Sequence, residues 1–451
     1  MKIKKTLCLI LVILFFNNIF ALYVLSEEKK VEKEENIIST LNIDWWKELN
    51  DPILLDYIIK AIQCNHDLKL AGLKTEETRE NKNLVRSKEL PSVGIGAVPA
   101  LYKLPGITNS SGLISLPLYV NYELDLFGKN RDKTKAMDKM YEIARLNEKA
   151  AYISVMSAVG STYYNIVKLD KLISIQKQII TVRKQIYDLT KLCNEEGIIS
   201  TADTVSANKA YLKANTDIKD LEIAREKLFN MLMVLTGKTP DNSACLERIS
   251  FDDLKKNKEI PGFINSDVIQ NRPDYAAAEK LIEKTGIDIK AAKKEFLPII
   301  NILGLLSFNS TEYFSKMNWT NSLGILGGGA ILPLFSGGAK VANLKIHKNK
   351  YNQAIENYKK VALTSIQEIN DALCELKLDN EKYLKTLEIY NAEKQDYKYS
   401  SLKFKEGIIS NLDLLQKKEV LLITEKSAVV ENADYFINQI SLYKAVAGAQ
   451  I

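Results

Sequence analysis

The pentapeptide EGIIS stands at residues 196–200 and again at residues 406–410 of a 451-residue chain, 210 positions apart. Two further pairs of motifs keep nearly the same spacing: LPSVGIG (90–96) with LPIINILG (297–304), and LDLFG (124–128) with LPLFSGG (332–338). A nearly constant offset at three landmarks indicates an internal duplication of about 210 residues, which is too long for a short-period repeat. The sequence therefore predicts two similar structural halves.

Each half is predicted to contain the same elements in the same order. A helix that ends at a Leu-Pro pair is followed by two strands, a helix of sixty-odd residues and a shorter helix that returns. The predicted bounds are 66–89, 92–104, 114–125, 129–192 and 201–236 in the first half, and 274–296, about 300–309, 319–325, 338–403 and 411–447 in the second. At 1.5 Å per residue, each long helix would extend about 100 Å.

Alternation of apolar and polar residues supports the strands, because successive side chains of a strand point to opposite faces. In the first half one face would carry Leu118, Val120, Tyr122 and Leu124, and the other Tyr119, Asn121, Glu123 and Asp125. In the second half one face would carry Ile300, Ile302, Gly304, Leu306 and Phe308. The other would carry Asn301, Ser307 and Asn309, although Leu303 and Leu305 interrupt its polar character. In the next strand Trp319, Leu323 and Ile325 would alternate with Asn or small residues.

EGIIS is predicted to form the tip of a helical hairpin in each half. Gly197 and Gly407 stand where a long helix must stop, and glycine tolerates the left-handed conformation there. Ser200 or Thr201, and Ser410 or Asn411, can cap the returning helices. The tips also contain two apolar pairs, Ile198 with Ile199 and Ile408 with Ile409. Exposed isoleucines would indicate a docking surface, whereas isoleucines packed on their own helices would be a local staple.

Residues 1–26 have the features of a secretory signal peptide: a basic start, the apolar run TLCLILVILFF and small or compact residues before Glu27. A retained membrane anchor is the alternative, although Asn17 and Asn18 interrupt the apolar run. Removal of residues 1–26 takes away three lysines and no acid, so the net charge falls from +6 to +3. This near balance predicts no nucleic-acid partner.

The sequence contains no motif that would predict an enzyme. Cys64, Cys193, Cys245 and Cys374 have no CxxC spacing, and the histidines, His66 and His347, form no zinc motif. Neither a P-loop nor a Ser-His-Asp order of catalytic motifs is present. We therefore expect no catalytic residue, no cofactor and no metal site.

The chain resembles the TolC-like outer-membrane efflux channels over nearly its whole length after the signal. The resemblance rests on the paired EGIIS tips, each followed by an aspartate, and on three longer motifs: WWKELNDPILLDYIIKAIQCNHDLKLA (45–71), YELDLFGKNR (122–131) and LPLFSGGAKVANL (332–344). It points to the branch that serves multidrug or metal efflux pumps.

The resemblance implies a mainly α protein with a β-barrel part. Three protomers would each give four strands to a twelve-stranded outer-membrane barrel, and long helical hairpins would form a periplasmic tunnel. The strand count supports the trimer independently, because four strands cannot close a barrel and lipid excludes an open sheet edge. The expected domains are a signal peptide (1–26), an N-terminal equatorial segment (27–65), a first repeat (66–236), an equatorial linker (237–273) and a second repeat (274–451).

The function that the resemblance implies is a passive exit duct of a tripartite efflux system, exporting small molecules or metal ions. Its partners would be two further copies of the chain, a periplasmic adaptor, an inner-membrane pump and outer-membrane lipid. An exit duct for type I protein secretion is an alternative within the family. A soluble periplasmic coiled-coil scaffold is an alternative of another class, but a scaffold has no need for four strands. Many relatives carry a lipid-bearing cysteine after the signal; here Cys8 lies inside the apolar run, so we expect an unmodified start near Glu27.

Family channels close at the tips, and an aspartate six residues after each tip glycine recurs there. Asp413 and Asp203 hold these positions, which assigns them to the pore constriction together with Gln416 and Phe404. Gln416 and Ser206 stand where some members have a second acid, and Asn194 replaces the aromatic residue in the first half. Either aspartate could instead be a helix N-terminal acid. The barrel-to-helix transition is assigned to Phe127, Gly128, Gly337 and Gly338, and the adaptor contact to Gly197, Ile198, Ile199, Ser200, Gly407, Ile408, Ile409 and Ser410.

Overall fold

The computed structural model describes residues 37–102, 111–240, 246–254, 264, 266–310 and 322–448. The predicted signal peptide, Cys245 and part of the predicted strand at 319–325 lie outside these ranges. The chain divides into two units, Met1–Ile43 and Asp44–Ile451. In the first unit the described part includes a short 3-10 helix, Ile37–Thr40.

The described part of the second unit contains eight α-helices: α1 (Asp44–Lys47), α2 (Pro52–Cys64), α3 (His66–Arg86), α4 (Lys129–Glu195), α5 (Thr201–Leu235), α6 (Pro273–Lys294), α7 (Ala339–Lys405) and α8 (Asn411–Ala445). The two long helices, α4 and α7, each have 67 residues, and the two returning helices, α5 and α8, each have 35. The predicted pair of helical hairpins is therefore confirmed; α4 ends three residues later than predicted, at Glu195, and α7 ends two residues later, at Lys405.

The strands form one antiparallel sheet with contributions from both halves. They are β1 (Ser92–Ile95), β2 (Val98–Tyr102), β3 (Ser111–Leu124), β4 (Ile299–Ser310) and β5 (Ser322–Ile331). β3 pairs with β4 across the two halves, from Ile114 opposite Ser310 to Leu124 opposite Ile300. β4 in turn pairs with β5. The two edges of this sheet are β1 with β2 on one side and β5 on the other.

The predicted strand at 92–104 is broken into β1 and β2, which pair with successive parts of β3. The break lies at Gly96 and Ala97, opposite Pro117. Gly96 N donates a hydrogen bond of 2.8 Å to Pro117 O, but proline has no N–H with which to continue the ladder. The two pieces together occupy one strand position, so the sheet has the four positions that were predicted.

The hydrophobic core lies where the two hairpins meet. α4 packs against α3, α5, α6 and α8, and α7 packs against α6 and α8. One cluster of buried side chains joins α4, α5 and α8: Leu169, Leu172, Ile175, Ile179, Val182, Ala214, Leu422 and Val429. The helix α4 is therefore the element against which both returning helices are placed.

Two aromatic residues of α1 fix the start of this unit to the hairpins. The rings of Trp45 and Tyr443 lie 4.4 Å apart, and Trp46 is almost completely buried. A Cβ atom at Gly160 would lie 2.7 Å from the Trp46 ring, so only glycine fits there.

The segments predicted to be equatorial contact each other. Tyr57 Oη in the first segment donates a 3.0 Å hydrogen bond to Glu247 O in the second. Ile249 N donates one of 3.0 Å to Tyr163 Oη, which ties the second segment to α4. Over the residues that the structure describes, no helix combines the length and hydropathy of a membrane span.

Candidate functional site

Both hairpin tips end their long helix in the same way. Gly197 and Gly407 each have a φ of 74°, in the left-handed region. Ile198 N donates to Cys193 O at 2.8 Å, and Ile408 N donates to Lys403 O at 2.9 Å. These bonds close a Schellman motif, so the role predicted for the two glycines as helix terminators is confirmed.

Both returning helices begin with the same capping box. Asp413 N donates to Ser410 Oγ at 3.1 Å, while Ser410 N and Oγ donate to Asp413 Oδ2 at 3.0 and 2.7 Å. Ser200 and Asp203 make the equivalent three hydrogen bonds. The N-caps are therefore Ser200 and Ser410, and not the alternatives Thr201 and Asn411. Both aspartates are exposed helix-start acids in this chain.

The capping box also favours the ionised form of the Asp413 side chain. The hydrogen bonds from the Ser410 side chain and backbone hold the pKa of the Asp413 carboxyl below its ordinary value. Both bonds go to Oδ2, which leaves Oδ1 for another partner. Asp413 is therefore ionised at neutral pH.

Replacing Ser410 by alanine should loosen the first turn of α8. Loss of an N-cap serine typically costs about 1 kcal/mol, so the amide hydrogens of Asp413 and Leu414, which donate to Ser410, should exchange about fivefold faster. Because the pKa of Asp413 is lowered, the cap's stabilising effect should also fade as the pH drops below about 4, the ordinary pKa of an aspartate. Hydrogen exchange followed by mass spectrometry measures both effects.

Ser427→Ala is the matched control for that experiment. Ser427 is an exposed serine within α8 whose hydroxyl bonds to Ile423 O. Its replacement should leave exchange at the tip unchanged. Equal exchange in wild type and Ser410→Ala would contradict the capping role.

The other predicted pore residues take different positions. Gln416 is exposed one turn below Asp413, and Phe404 is partly exposed on the last turn of α7. Asn194, which replaces the aromatic residue in the first half, donates from its amide to Ile199 O at 2.9 Å. It therefore braces its own tip, a role that the sequence did not indicate.

The isoleucine pairs at the tips are divided between two environments. Ile198 and Ile408 are 72% and 69% exposed, whereas Ile199 and Ile409 are half-buried. A Cβ atom on Gly197 or Gly407 would have no neighbour within 4 Å. One isoleucine of each pair is thus open to contact, and the other packs locally.

The sheet has one continuous apolar face. The register places Leu118, Val120, Tyr122 and Leu124 opposite Leu306, Gly304, Ile302 and Ile300, and β5 adds Leu326, Gly328 and Ala330. The alternation predicted for β3 and β4 is therefore confirmed, and both apolar rows lie on the same side. The row predicted for the last strand differs, because Leu323 and Ile325 pair with Ser307 and Leu305 on the other face, and Trp319 lies outside the described residues. The other face is mixed: it carries polar groups, including Asn121, Glu123, Asn301 and Ser307, together with Leu303, Leu305, Leu323 and Ile325. Such a sheet can face lipid on one side and water on the other.

Glycines mark the junctions between the sheet and the long helices. Gly128 precedes α4 with a φ of 71°, and Gly337 and Gly338 precede α7 with φ of 58° and 84°. These positive φ values lie in the region that glycine adopts without a steric penalty from a Cβ atom, which suits the sharp turn between strand and helix. Phe127 and Phe335 flank these turns and are exposed.

A row of polar links between the hairpins was missed by sequence reasoning. Lys168 pairs with Asp434 at 2.9 Å, Lys426 Nζ donates to Gln176 at 3.1 Å, and Arg183 pairs with Glu419 at 2.7 Å. Arg183 also donates to Ala210 O at 3.1 Å and so joins α4, α5 and α8. Only the structure could pair residues more than 200 positions apart.

Comparison with known proteins finds a matching family and relatives over most of the chain. A family model described as outer membrane efflux protein matches residues 57–238 and 264–448. The toluene efflux pump outer membrane protein TtgC of Pseudomonas putida is 27% identical over 418 residues, covering 90% of this chain and 84% of that protein. The cation efflux system protein CusC of Escherichia coli is 24% identical over 421 residues, covering 90% and 89%.

The fold is also that of solved outer-membrane channels. The crystal structure of the Campylobacter jejuni CmeC outer membrane channel superposes with a TM-score of 0.82 at 23% identity, covering 90% of this chain and 88% of that chain. This likeness confirms the predicted fold class of helical hairpins joined to a β-barrel part.

Proposed function

Because this chain belongs to the outer membrane efflux protein family, and is an outer-membrane efflux channel with a large periplasmic part, we propose that it is a passive exit duct that catalyses no reaction. In this proposal it exports small molecules or metal ions that an inner-membrane pump delivers. The names of two relatives support both classes, since one belongs to a toluene efflux pump and the other to a cation efflux system.

The observation that carries the proposal is the sheet. Its β1–β2 edge and its β5 edge are paired on one side only within the described chain, while one face is continuously apolar. An edge exposed to lipid leaves backbone N–H and C=O groups without partners, at a cost of several kcal/mol each. Three copies in a ring would join each β5 to the next copy's β1–β2 edge and would close a barrel of twelve strand positions.

The helical part of the duct would then carry the exported molecules across the periplasm. α4 and α7 separate the sheet from the tips by about 100 Å. The apolar tip residues Ile198 and Ile408 are available for the adaptor, with Gly197, Gly407, Ser200 and Ser410 fixing their position.

We assign the constriction to the ring of Asp413, with Asp203, Gln416 and Phe404 nearby. In a closed trimer three Asp413 carboxylates would approach the axis with Oδ1 available. Like charges at close range attract cations, which would give the closed duct a cation preference. Asp413 ranks before Asp203 because the second tip also keeps the aromatic Phe404.

Assembly tests the proposal directly. The protein should leave the membrane only with detergent and should run as a trimer of three times the mature mass, as measured by native mass spectrometry. A detergent-free monomer with the native helix content would contradict the proposed duct and would favour a soluble scaffold.

A further inference from the structure

The two hairpin tips are alike in geometry but opposite in charge. We define tip 1 as residues 188–208 and tip 2 as residues 398–418, which correspond at the offset of 210. Tip 1 has one lysine and four acids, net −3: Lys191, Asp188, Glu195, Glu196 and Asp203. Tip 2 has five lysines and two acids, net +3: Lys398, Lys403, Lys405, Lys417, Lys418, Glu406 and Asp413. Lys417 pairs at 2.9 Å with Asp396, which lies just before tip 2, so a net charge of +2 is left apart from this pair.

The difference includes direct reversals at corresponding positions. Asp188 corresponds to Lys398, and Glu195 corresponds to Lys405. All four side chains belong to exposed residues, and none of them forms an ion pair with another residue of the described ranges. Their charges are therefore uncompensated within one chain.

The apolar and backbone parts of the tips have stayed the same. Both have the glycine φ of 74°, the Ser-Asp capping box and one strongly exposed isoleucine. A partner can therefore make the same apolar contact at both tips but must meet opposite charges around it. Like charges brought together at an interface cost free energy and exclude wrong orientations.

We propose that the two tips dock onto two chemically different surfaces of the periplasmic adaptor. Tip 1 fits an apolar pocket with a basic rim, and tip 2 fits an apolar pocket with an acidic rim. This inference rests on the proposed function, in which the adaptor meets the tips. Around a trimer the six tips alternate between negative and positive charge. An adaptor ring that is rotated by one sixth of a turn would therefore meet the wrong charges, whereas rotation by one third of a turn restores the match.

The described residues do not show the two tips of one chain neutralising each other's charge. In the described part of the chain no ion pair joins tip 1 to tip 2, and the pair nearest the tips that links the hairpins is Arg183 with Glu419. Glu419 lies in α8 just beyond tip 2 as defined here. Glu195 and Lys405 stand three residues before the exposed isoleucines, and Asp188 and Lys398 stand ten residues before them, about 15 Å along the long helices.

Two synthetic helical-hairpin peptides test the proposal, one with a lysine rim and one with a glutamate rim around the same apolar bend. Binding of each fluorescent peptide to the purified trimer in lipid nanodiscs is followed by anisotropy, with planar-bilayer conductance recorded for every variant. Tip 1 is reversed by Asp188→Lys with Glu195→Lys, and tip 2 by Lys398→Asp with Lys405→Glu. Lys345→Glu with Lys348→Glu is the control, because these exposed lysines lie near the sheet end of α7.

Reversal of tip 1 should weaken the lysine-rimmed peptide about tenfold at low salt and leave the glutamate-rimmed peptide unchanged. Reversal of tip 2 should do the opposite, and high salt should reduce either effect to about twofold. The control should bind both peptides as wild type does.

The inference is overturned if neither reversal discriminates between the peptides. It is also overturned if a reversal changes trimer stability or conductance while peptide binding is unchanged, since the charges would then act between tips of the trimer. A trimer that conducts but shows no discrimination removes this inference alone. A protein that neither trimerises nor conducts removes the proposed function as well.

Discussion

Replacing Leu326 by arginine should prevent assembly in the membrane, whereas the same replacement of Ile325 should be tolerated. Leu326 lies on the apolar face of β5, 84% exposed and near the middle of the strand, while Ile325 points to the opposite face. Arginine on the lipid face near the bilayer midplane costs about 2–4 kcal/mol, and a trimer would carry three of them. In the proposed barrel position 325 would face the water-filled interior, where the guanidinium would remain hydrated and would cost little.

The two variants form a matched pair because they differ by one position and not in chemistry. The measurement is the amount of trimer extracted by detergent from outer membranes at equal expression. We expect trimer for Ile325→Arg at nearly the wild-type level and little or none for Leu326→Arg. Equal yields from the two variants would show that the apolar face of the sheet does not face lipid.

Replacing Asp413 by lysine should shift the ion selectivity of the closed channel from cations toward anions. Three carboxylates near the axis would become three ammonium groups, and the permeability ratio should change by about fivefold or more. Asp413→Ala should reduce the cation preference and the block by multivalent cations. Reversal potentials in planar bilayers under a salt gradient measure these changes, and Asp203→Lys should shift them less.

Asp413→Lys and Asp203→Lys also remove the carboxylate of a capping box. A control must therefore separate the loss of the cap from the change of charge in the pore. Ser410→Ala weakens the same capping box but keeps the carboxylate. It should therefore loosen the tip without inverting selectivity. If Asp413→Lys and Ser410→Ala alter selectivity alike, or if neither changes it in a conducting trimer, Asp413 is a helix-start acid and not a pore residue.

The sequence allowed most of the helical part to be predicted, because its signals are local. A glycine at position 197 or 407 and a serine three residues later determine where one helix stops and the next begins, whatever the rest of the chain does. The strand break at Gly96 was not predicted, because it depends on Pro117 in the neighbouring strand. A missing N–H has consequences only once the register of the sheet is known.

In the candidate site, too, the local contacts could be predicted from the sequence and the long-range contacts could not. The capping contacts of Asp203 and Asp413 follow from residues three positions apart and could be predicted. The Arg183–Glu419 pair could not, because 236 positions separate the two residues and only the packing of α4 on α8 brings them together. The direction of Asp413 relative to the pore axis depends on neighbouring copies of the chain, which no single sequence pattern specifies.

Ionic current through the purified protein in a planar bilayer shows whether this chain forms a channel. We expect the detergent-extracted wild-type trimer to insert and to give discrete conductance steps, and material from the Leu326→Arg variant to give none. A monomer that is stable in water, keeps its native helix content and produces no current would contradict the assignment of this chain as an outer-membrane duct.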